Sequence, residues 1–318
     1  MTYQEAMDRF GNDKPDTRFG MELKDISELV TGTGFKVFDD VVAKKGVIRG
    51  FAAPGGSKFS RKDLDDLTDM AKKAGSKGLI WIKWEDAAFN SPISKFFDPA
   101  KLEKICVAVG AKKGDCALIV ADEFEAACKT LSTLRLHLGE KLNQIDKSKD
   151  QLLWVIDFPL LEFDPLEKRW AARHHPFTSP QEDGIADFVA GRTEVFRELK
   201  AKAYDLVCNG YEIAGGSIRI HRKDVQDSMF KALGISPEEA EHKFGFFLES
   251  LKYGTPPHGG IAWGVDRTVM ILCETDAIRD VIAFPKTQKA SCQMSGTPST
   301  VTREQLAELG IRVVTSTT

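Results

Sequence analysis

No run in this sequence is apolar for long enough to cross a bilayer, and its first residues hold no apolar stretch of the signal-peptide kind. A helical membrane protein is thereby excluded, and secretion is argued against. Charge of one sign is missing too. The 44 Lys and Arg nearly balance the 47 Asp and Glu, leaving a net charge of −3, so no bulk field draws in nucleic acid and any RNA contact needs a local patch. There is no C-x-x-C. Cys106, Cys116, Cys128, Cys208, Cys273 and Cys292 are scattered, with no histidine at zinc-ligand spacing, and they read as reduced thiols of a cytoplasmic protein. Pro54-Gly55-Gly56-Ser57-Lys58 lacks the second glycine and the G-K-[ST] ending of a phosphate loop, so it reads as a plain loop. What remains is a globular chain with 42% hydrophobic residues, enough for one large core or two smaller ones.

The chain opens with helical periodicity over residues 1–10, followed by the turn-rich G-N-D-K-P-D-T-R of residues 11–18, whose Asp13-Lys14-Pro15-Asp16 reads as a surface turn. Residues 25–143 then alternate short apolar runs with amphipathic helices. Strands are expected over 35–38, 47–53, 79–84 and 117–121. A helix is expected to start at a capping box on Ser60 and run through Ala71, and a longer one to span about 122–142. This reads as an inserted α+β module without a catalytic constellation. After Lys147 the chain turns strand-rich, beginning with 152–156. Loop then helix is expected over 184–202, helices over 223–233 and 237–251, a strand over 260–265, a helix over 266–273 and a short helix near 303–309.

The chemistry concentrates in Y-D-L-V-C-N-G-Y-E-I-A-G-G-S-I-R-I-H, residues 204–221. Residues 204–208 alternate apolar with polar, Asn209-Gly210 turns the chain, and 218–221 alternate again. Glu212 and Gly215-Gly216 lie between, where no side chain keeps a ligand from the backbone. Asp205, Glu212 and Arg219 stand at intervals of seven and could converge on a small zwitterion or a metal-bound phosphate. A hairpin with solvated charges is the plainer alternative. Upstream, Pro176 forces His175 extended, so His174 and His175 point opposite ways, one towards a pocket and one against the backbone. Adjacent histidines on a strand cannot share one zinc ion, and no third ligand is evident. Arg267, at a strand-to-helix junction, can reach a phosphate or stack on a base, or simply pair with Asp266 on the surface.

These segments have a family likeness. H-H-P-F-T (174–178), N-G-Y-E-I-A-G-G-S-I-R-I-H (209–221), K-F-G-F-F-L-E-S-L-K-Y-G-T-P-P-H-G-G-I-A-W-G-V-D-R (243–267) and I-R-D-V-I-A-F-P-K-T (278–287) resemble bacterial-type aspartyl-tRNA synthetases, and G-N-D-K-P-D-T-R resembles the same family's G-S-D-K-P-D-x-R. The likeness covers nearly the whole chain. It departs at Ala214, where the family has the first glycine of G-G-G-S, a difference of one methyl group.

The resemblance implies an α+β class II synthetase fold, an antiparallel sheet flanked by helices and carrying an inserted α+β domain. The implied domains are an N-terminal piece of the catalytic domain at 1–24, the insertion at 25–143 and the catalytic core at 144–318. Arg219 would grip the aspartate side-chain carboxylate, with His174 and His175 beside it. Asp205 and Glu212 would hold Mg2+ against the phosphates of ATP. Gly264, Val265, Asp266 and Arg267 would form the third class II motif, its arginine on the γ-phosphate and the adenine. Arg219, Arg267 and Glu212 are thus the expected catalytic set. L-aspartate, ATP and aspartate tRNA are the expected partners, with asparagine tRNA left open, no membrane, and a homodimer in the complete family member. The anticodon-binding domain and the first two class II motifs are expected upstream of this portion, so the isolated chain is expected to be inactive. A non-catalytic paralogue that binds aspartate, ATP or RNA is the alternative.

Overall fold

Thr2 caps the first helix, its Oγ1 accepting from the Glu5 amide at 3.1 Å, and Tyr3–Phe10 (α1) runs until Gly11 turns left-handed at φ 73°. A Cβ on Gly11 would lie 2.4 Å from the Cys128 carbonyl oxygen, so space as well as φ requires glycine there. The computed structural model describes residues 1–314. Two units are separable, Met1–Trp263 and Gly264–Thr318.

Within the first unit, Lys24–Asp25 (β1), Ser27–Val30 (α2), Lys36–Ala43 (α3) and Val47–Ala53 (β2) come first. Arg61–Ala74 (α4), Ile80–Trp84 (β3), Phe89–Asn90 (β4), Pro99–Ala108 (α5), Cys116–Asp122 (β5) and Phe124–Lys141 (α6) follow. The strands make one antiparallel sheet in the order β1-β2-β5-β3-β4. Alternate residues of β5 enter different cores. Ala117 and Ile119 join Phe38, Ile48, Leu102 and Ile105, whereas Leu118 and Val120 join Phe51, Leu64, Leu67, Leu131 and Leu134. Helices therefore cover both faces, and each fully buried leucine contributes about 1.5–3 kcal/mol.

The capping box at Ser60 forms, with Asp63 as its partner, and Lys141 Nζ reaches the same carboxylate at 2.6 Å. Residues 35–38 are not a strand. Val41 and Val42 follow Phe38 at helical spacing, and α3 buries Phe38 in the core against which Val42 packs.

Two buried arginines tie residues 1–24 to this sheet. Arg135 of α6 is fully buried; its guanidinium donates to the carbonyls of Asp16 at 3.0 Å, Phe19 at 2.8 Å and Gly20 at 2.8 Å, and lies 3.9 Å from the Phe19 ring centre. Burial pulls its pKa down to about 10. Arg49 of β2 donates to the carbonyls of Met7 and Asp8 and to Cys128 Sγ.

Leu152–Ile156 (β6) leads to a separate hairpin, Leu161–Asp164 (β7) and Arg169–Ala172 (β8). Glu182–Val189 (α7), Ala203–Cys208 (β9), Tyr211–Ile218 (β10), Lys223–Ala232 (α8), Pro237–Leu251 (α9) and Gly259–Trp263 (β11) complete the unit. The second sheet is antiparallel in the order β11-β10-β9-β6, and Val155 and Val207 pack with Phe188 of α7 and Val225 and Met229 of α8. Over 184–202 the order is the reverse of that expected. The acidic pair Glu182-Asp183 starts a helix first, and a 3-10 turn at Thr193–Val195 follows.

The second unit holds Val265–Leu272 (α10) and Arg303–Glu308 (α11), the latter with a Thr302–Gln305 capping box. Among the described residues, no helix is long and apolar enough to cross a membrane.

Candidate functional site

Asn209 and Gly210, at φ 53° and 87°, make a two-residue turn that matches the twist of β9 and β10. The Asn209 side chain fixes it, accepting from the Gln151 amide at 2.9 Å and donating to Asp150 at 2.7 Å. Tyr211 then pairs with Cys208 and Glu212 with Val207, but Ala214 pairs with Leu206 and Gly215 with Asp205. Ile213 is the extra residue of a β-bulge. Glu212 and Gly215 are an odd number of residues apart and would face opposite sides of a regular strand; the bulge brings them to one side.

Both carboxylates converge there. A Cβ built on Gly215 would stand 2.5 Å from Asp205 Oδ1 and 3.2 Å from Glu212 Oε1. Burial first, then Glu212 and Asp13, push the Asp205 carboxyl up to about 6, while Lys14 opposes them. The glycines lie inside β10, whereas the sequence pattern puts them between two strands. Neither has positive φ, so their role is space: a Cβ on Gly216 would come 1.9 Å from the Gly260 carbonyl oxygen of β11.

A carboxyl whose pKa is raised in the folded chain favours folding in its protonated form. Its contribution is full below the unfolded value of about 3.9 and is lost as pH rises through about 6. Asp205→Asn is therefore expected to stabilise the chain increasingly between pH 4 and 7 and evenly above. After screening at this half-buried position the gain is about 1 kcal/mol. Urea midpoints for both proteins across that range check this, and a variant less stable at pH 8 would contradict the repulsion.

Arg219 follows the end of β10, its amide donating to the His258 carbonyl at 2.9 Å. Its Nη1 is buried without a hydrogen-bond partner. The guanidinium lines a cleft of about 630 Å³ with His175, Phe177, Gly215, Gly216, Phe244, Phe247, His258 and Ile261. The Phe177 amide donates to His175 Nδ1 at 3.3 Å, which leaves the proton on Nε2. Burial and then Arg219 hold the His175 pKa down, keeping it neutral. His174 is not among the lining residues. It stands edge-on to Phe158 at 4.7 Å, its pKa lowered by burial and Arg173 and raised by Asp13 and Glu212. Gly264, Val265, Asp266 and Arg267 belong to the second unit, where Gly264 caps α10 and Arg267 lies in its first turn.

Sequence reasoning missed several residues of the cleft. Phe177 stands edge-on to Phe244 at 5.3 Å and to Phe247 at 4.8 Å, and together they make an aromatic wall. The i, i+3 spacing of Phe244 and Phe247 on α9 was the available signal. From the sequence, residues 13–16 read as a surface turn. Arg173 meets Asp13 at 3.8 Å, and a Cβ on Gly210 would be 3.2 Å from Asp16 Cβ, so this segment packs on the hairpin rather than standing clear of it.

Two carboxylates converging over a glycine suit Mg2+, which keeps several waters and takes one or two carboxylates plus phosphate oxygens. Among the described residues no group of three or more His, Cys, Asp and Glu could hold a metal ion.

The sequence model described as tRNA synthetases class II (D, K and N) matches residues 1–288. An aspartate–tRNA(Asp/Asn) ligase of Natranaerobius thermophilus is 52% identical over 98% of this chain and 53% of its own length. One from Caldanaerobacter subterraneus is 51% identical over 98% and 52%. The chain thus spans about half the length of the curated relatives it matches. Among solved structures, an aspartyl tRNA synthetase from Entamoeba histolytica overlaps 49% of this chain and 26% of its own, at 22% identity and a TM-score of 0.34. By family match and sequence identity together, the chain belongs to the class II tRNA synthetases of the D, K and N group.

Proposed function

We propose that this chain carries the aspartate-activating site of an aspartate–tRNA ligase. The buried, unpartnered Nη1 of Arg219 at the wall of an open cleft carries the proposal. A guanidinium with one buried donor to spare calls for an anion, and its planar fork suits a carboxylate held by two parallel bonds. His175, neutral and with Nε2–H free of the backbone contact, adds a donor beside it. L-asparagine offers neither the charge nor the second acceptor.

The reaction needs no protein nucleophile. An oxygen of the aspartate α-carboxylate attacks the α-phosphorus of ATP, the bond to the bridging oxygen breaks, and pyrophosphate leaves aspartyl-adenylate. A terminal ribose hydroxyl of tRNA then attacks the activated carbonyl and releases AMP. Arg219 and His175 hold the amino acid; Asp205 and Glu212 would hold Mg2+, which neutralises phosphate charge when bound. Arg267, at the start of α10, is proposed for the γ-phosphate and adenine, and His174 for bracing the amino-acid side. Catalysis on this scheme is positioning and charge neutralisation. The relatives' printed names support aspartate tRNA, and also asparagine tRNA, as acceptors. A cytoplasmic homodimer is the assembly proposed with them.

Because the chain spans about half of its relatives, the deciding experiment is binding. Calorimetry on the 318-residue chain should show L-aspartate favoured over L-asparagine by about 100-fold or more, since the wrong ligand leaves a buried charge unpaired. Equal affinities would remove the basis for an aspartate site.

A further inference from the structure

The geometry points to Lys14 as a phosphate-contacting residue of the site, with Arg135 as the residue that positions it. This rests on the aspartate-activating function proposed above.

Residues 11–18 are built in from two sides. On one side lies α6: Asn12 Nδ2 donates to Ser132 Oγ, and Arg135 takes the Asp16 carbonyl at 3.0 Å. On the other, Asp16 packs against Gly210 of the β9–β10 hairpin, and Arg173, just after β8 and next to His174, meets Asp13 at 3.8 Å. Between these anchors the Asn12 side chain accepts from the Lys14 amide at 2.9 Å, and Pro15 and Asp16 are buried. A segment held this way presents its exposed side chain at a fixed place.

Its charges are matched unequally. Asp13 is met by Arg173, and Asp16 by a fork from Arg18 whose bonds include one of 2.8 Å. Lys14 is exposed, and among the described residues no acidic side chain comes within salt-bridge distance of it. The segment therefore delivers one unspent positive charge beside the hairpin that bears Asp205 and Glu212.

Two carboxylates repel a triphosphate, and Lys14 adds to the positive charge proposed for the cation and Arg267. A flexible ammonium with three donors suits phosphate oxygens, which need a point charge more than a planar fork. The guanidinium of Arg135 is fully buried and faces backbone carbonyls and the Phe19 ring, so it acts only through the segment it holds.

Calorimetry on the 318-residue chain, titrated separately with ATP plus Mg2+, AMP and L-aspartate, tests this. Lys14→Met should weaken ATP about tenfold, as for one lost charge-assisted bond, and leave AMP and L-aspartate within about twofold. Lys14→Arg should retain most of the affinity. Arg135→Met should reproduce the ATP-selective loss, and adding it to Lys14→Met should cost nothing more, the non-additivity expected of one residue acting through another. Should Arg135→Met fail to fold, Asn12→Ala frees the same segment from α6 without entering the core and carries the same expectation.

Unchanged ATP affinity in Lys14→Met overturns the assignment. So does an equal loss for AMP, or an unaltered chain that binds no ATP. Arg135 loses its role if its loss adds in full to that of Lys14→Met. These failures stay distinct from failure of the aspartate pocket, which L-aspartate titrations report independently of nucleotide.

Discussion

Arg219→Leu is expected to abolish L-aspartate binding to this chain. The leucine fills similar space but leaves the substrate carboxylate in the cleft without a counter-charge, at a cost of about 2–5 kcal/mol. Because the Arg219 amide bonds the His258 carbonyl through the backbone, the strand end should survive the change. Arg219→Lys should recover little, since an ammonium cannot supply two parallel bonds to one carboxylate. Calorimetry with both variants decides the matter. Undiminished affinity in Arg219→Leu means that another cation binds the amino acid.

The second large effect concerns the inserted module. We propose that residues 25–143 form a domain set into the catalytic fold, as the sequence texture indicates. Its partners nevertheless extend upstream. Leu23 is buried in the same core as Leu64 and Leu131, while Arg135 and Arg49 bond carbonyls between residues 7 and 20. A piece comprising 25–143 should therefore melt cooperatively but be about 2–3 kcal/mol less stable than one comprising 1–143, from lost charge-assisted bonds and lost apolar burial. Equal urea midpoints for the two would place the boundary at residue 25. A non-cooperative transition in both would deny the module independence altogether.

Much of this was legible in the residues. Asn209-Gly210 announced a turn, Pro237 with Glu238-Glu239 announced the start of α9, and the apolar run of 47–53 matched β2 at both ends. Local chemistry sets such features. Residues 35–38 misled because four residues are too few to separate period 2 from period 3.6, and the decisive partners, Val41 and Val42, lie just beyond. The start of α5 was readable and was passed over: Asp98 caps it, accepting from the Lys101 amide at 2.7 Å, and Pro99 sits in its first turn. Gly215 and Gly216 offered no side chain from which to read a face. The roles of Asp13 and Arg135 were beyond reach, since they depend on contacts more than 100 residues away in the chain.

The bulge at Ile213 makes the meeting of Asp205 and Glu212 a matter of counting as much as of chemistry. Between Glu212 and Gly215 the odd spacing reaches one side only because the bulge absorbs one residue. Losing Ile213 would leave Glu212 and Gly215 two positions apart, so an unbroken ladder would still carry both on the side of Asp205; straightening the bulge with every residue kept would instead turn Glu212 to the opposite side. A chain of this family can thus keep all of its functional letters and lose their arrangement through a one-residue slip of register. Over this short stretch, the spacing of the hairpin is inherited information in its own right.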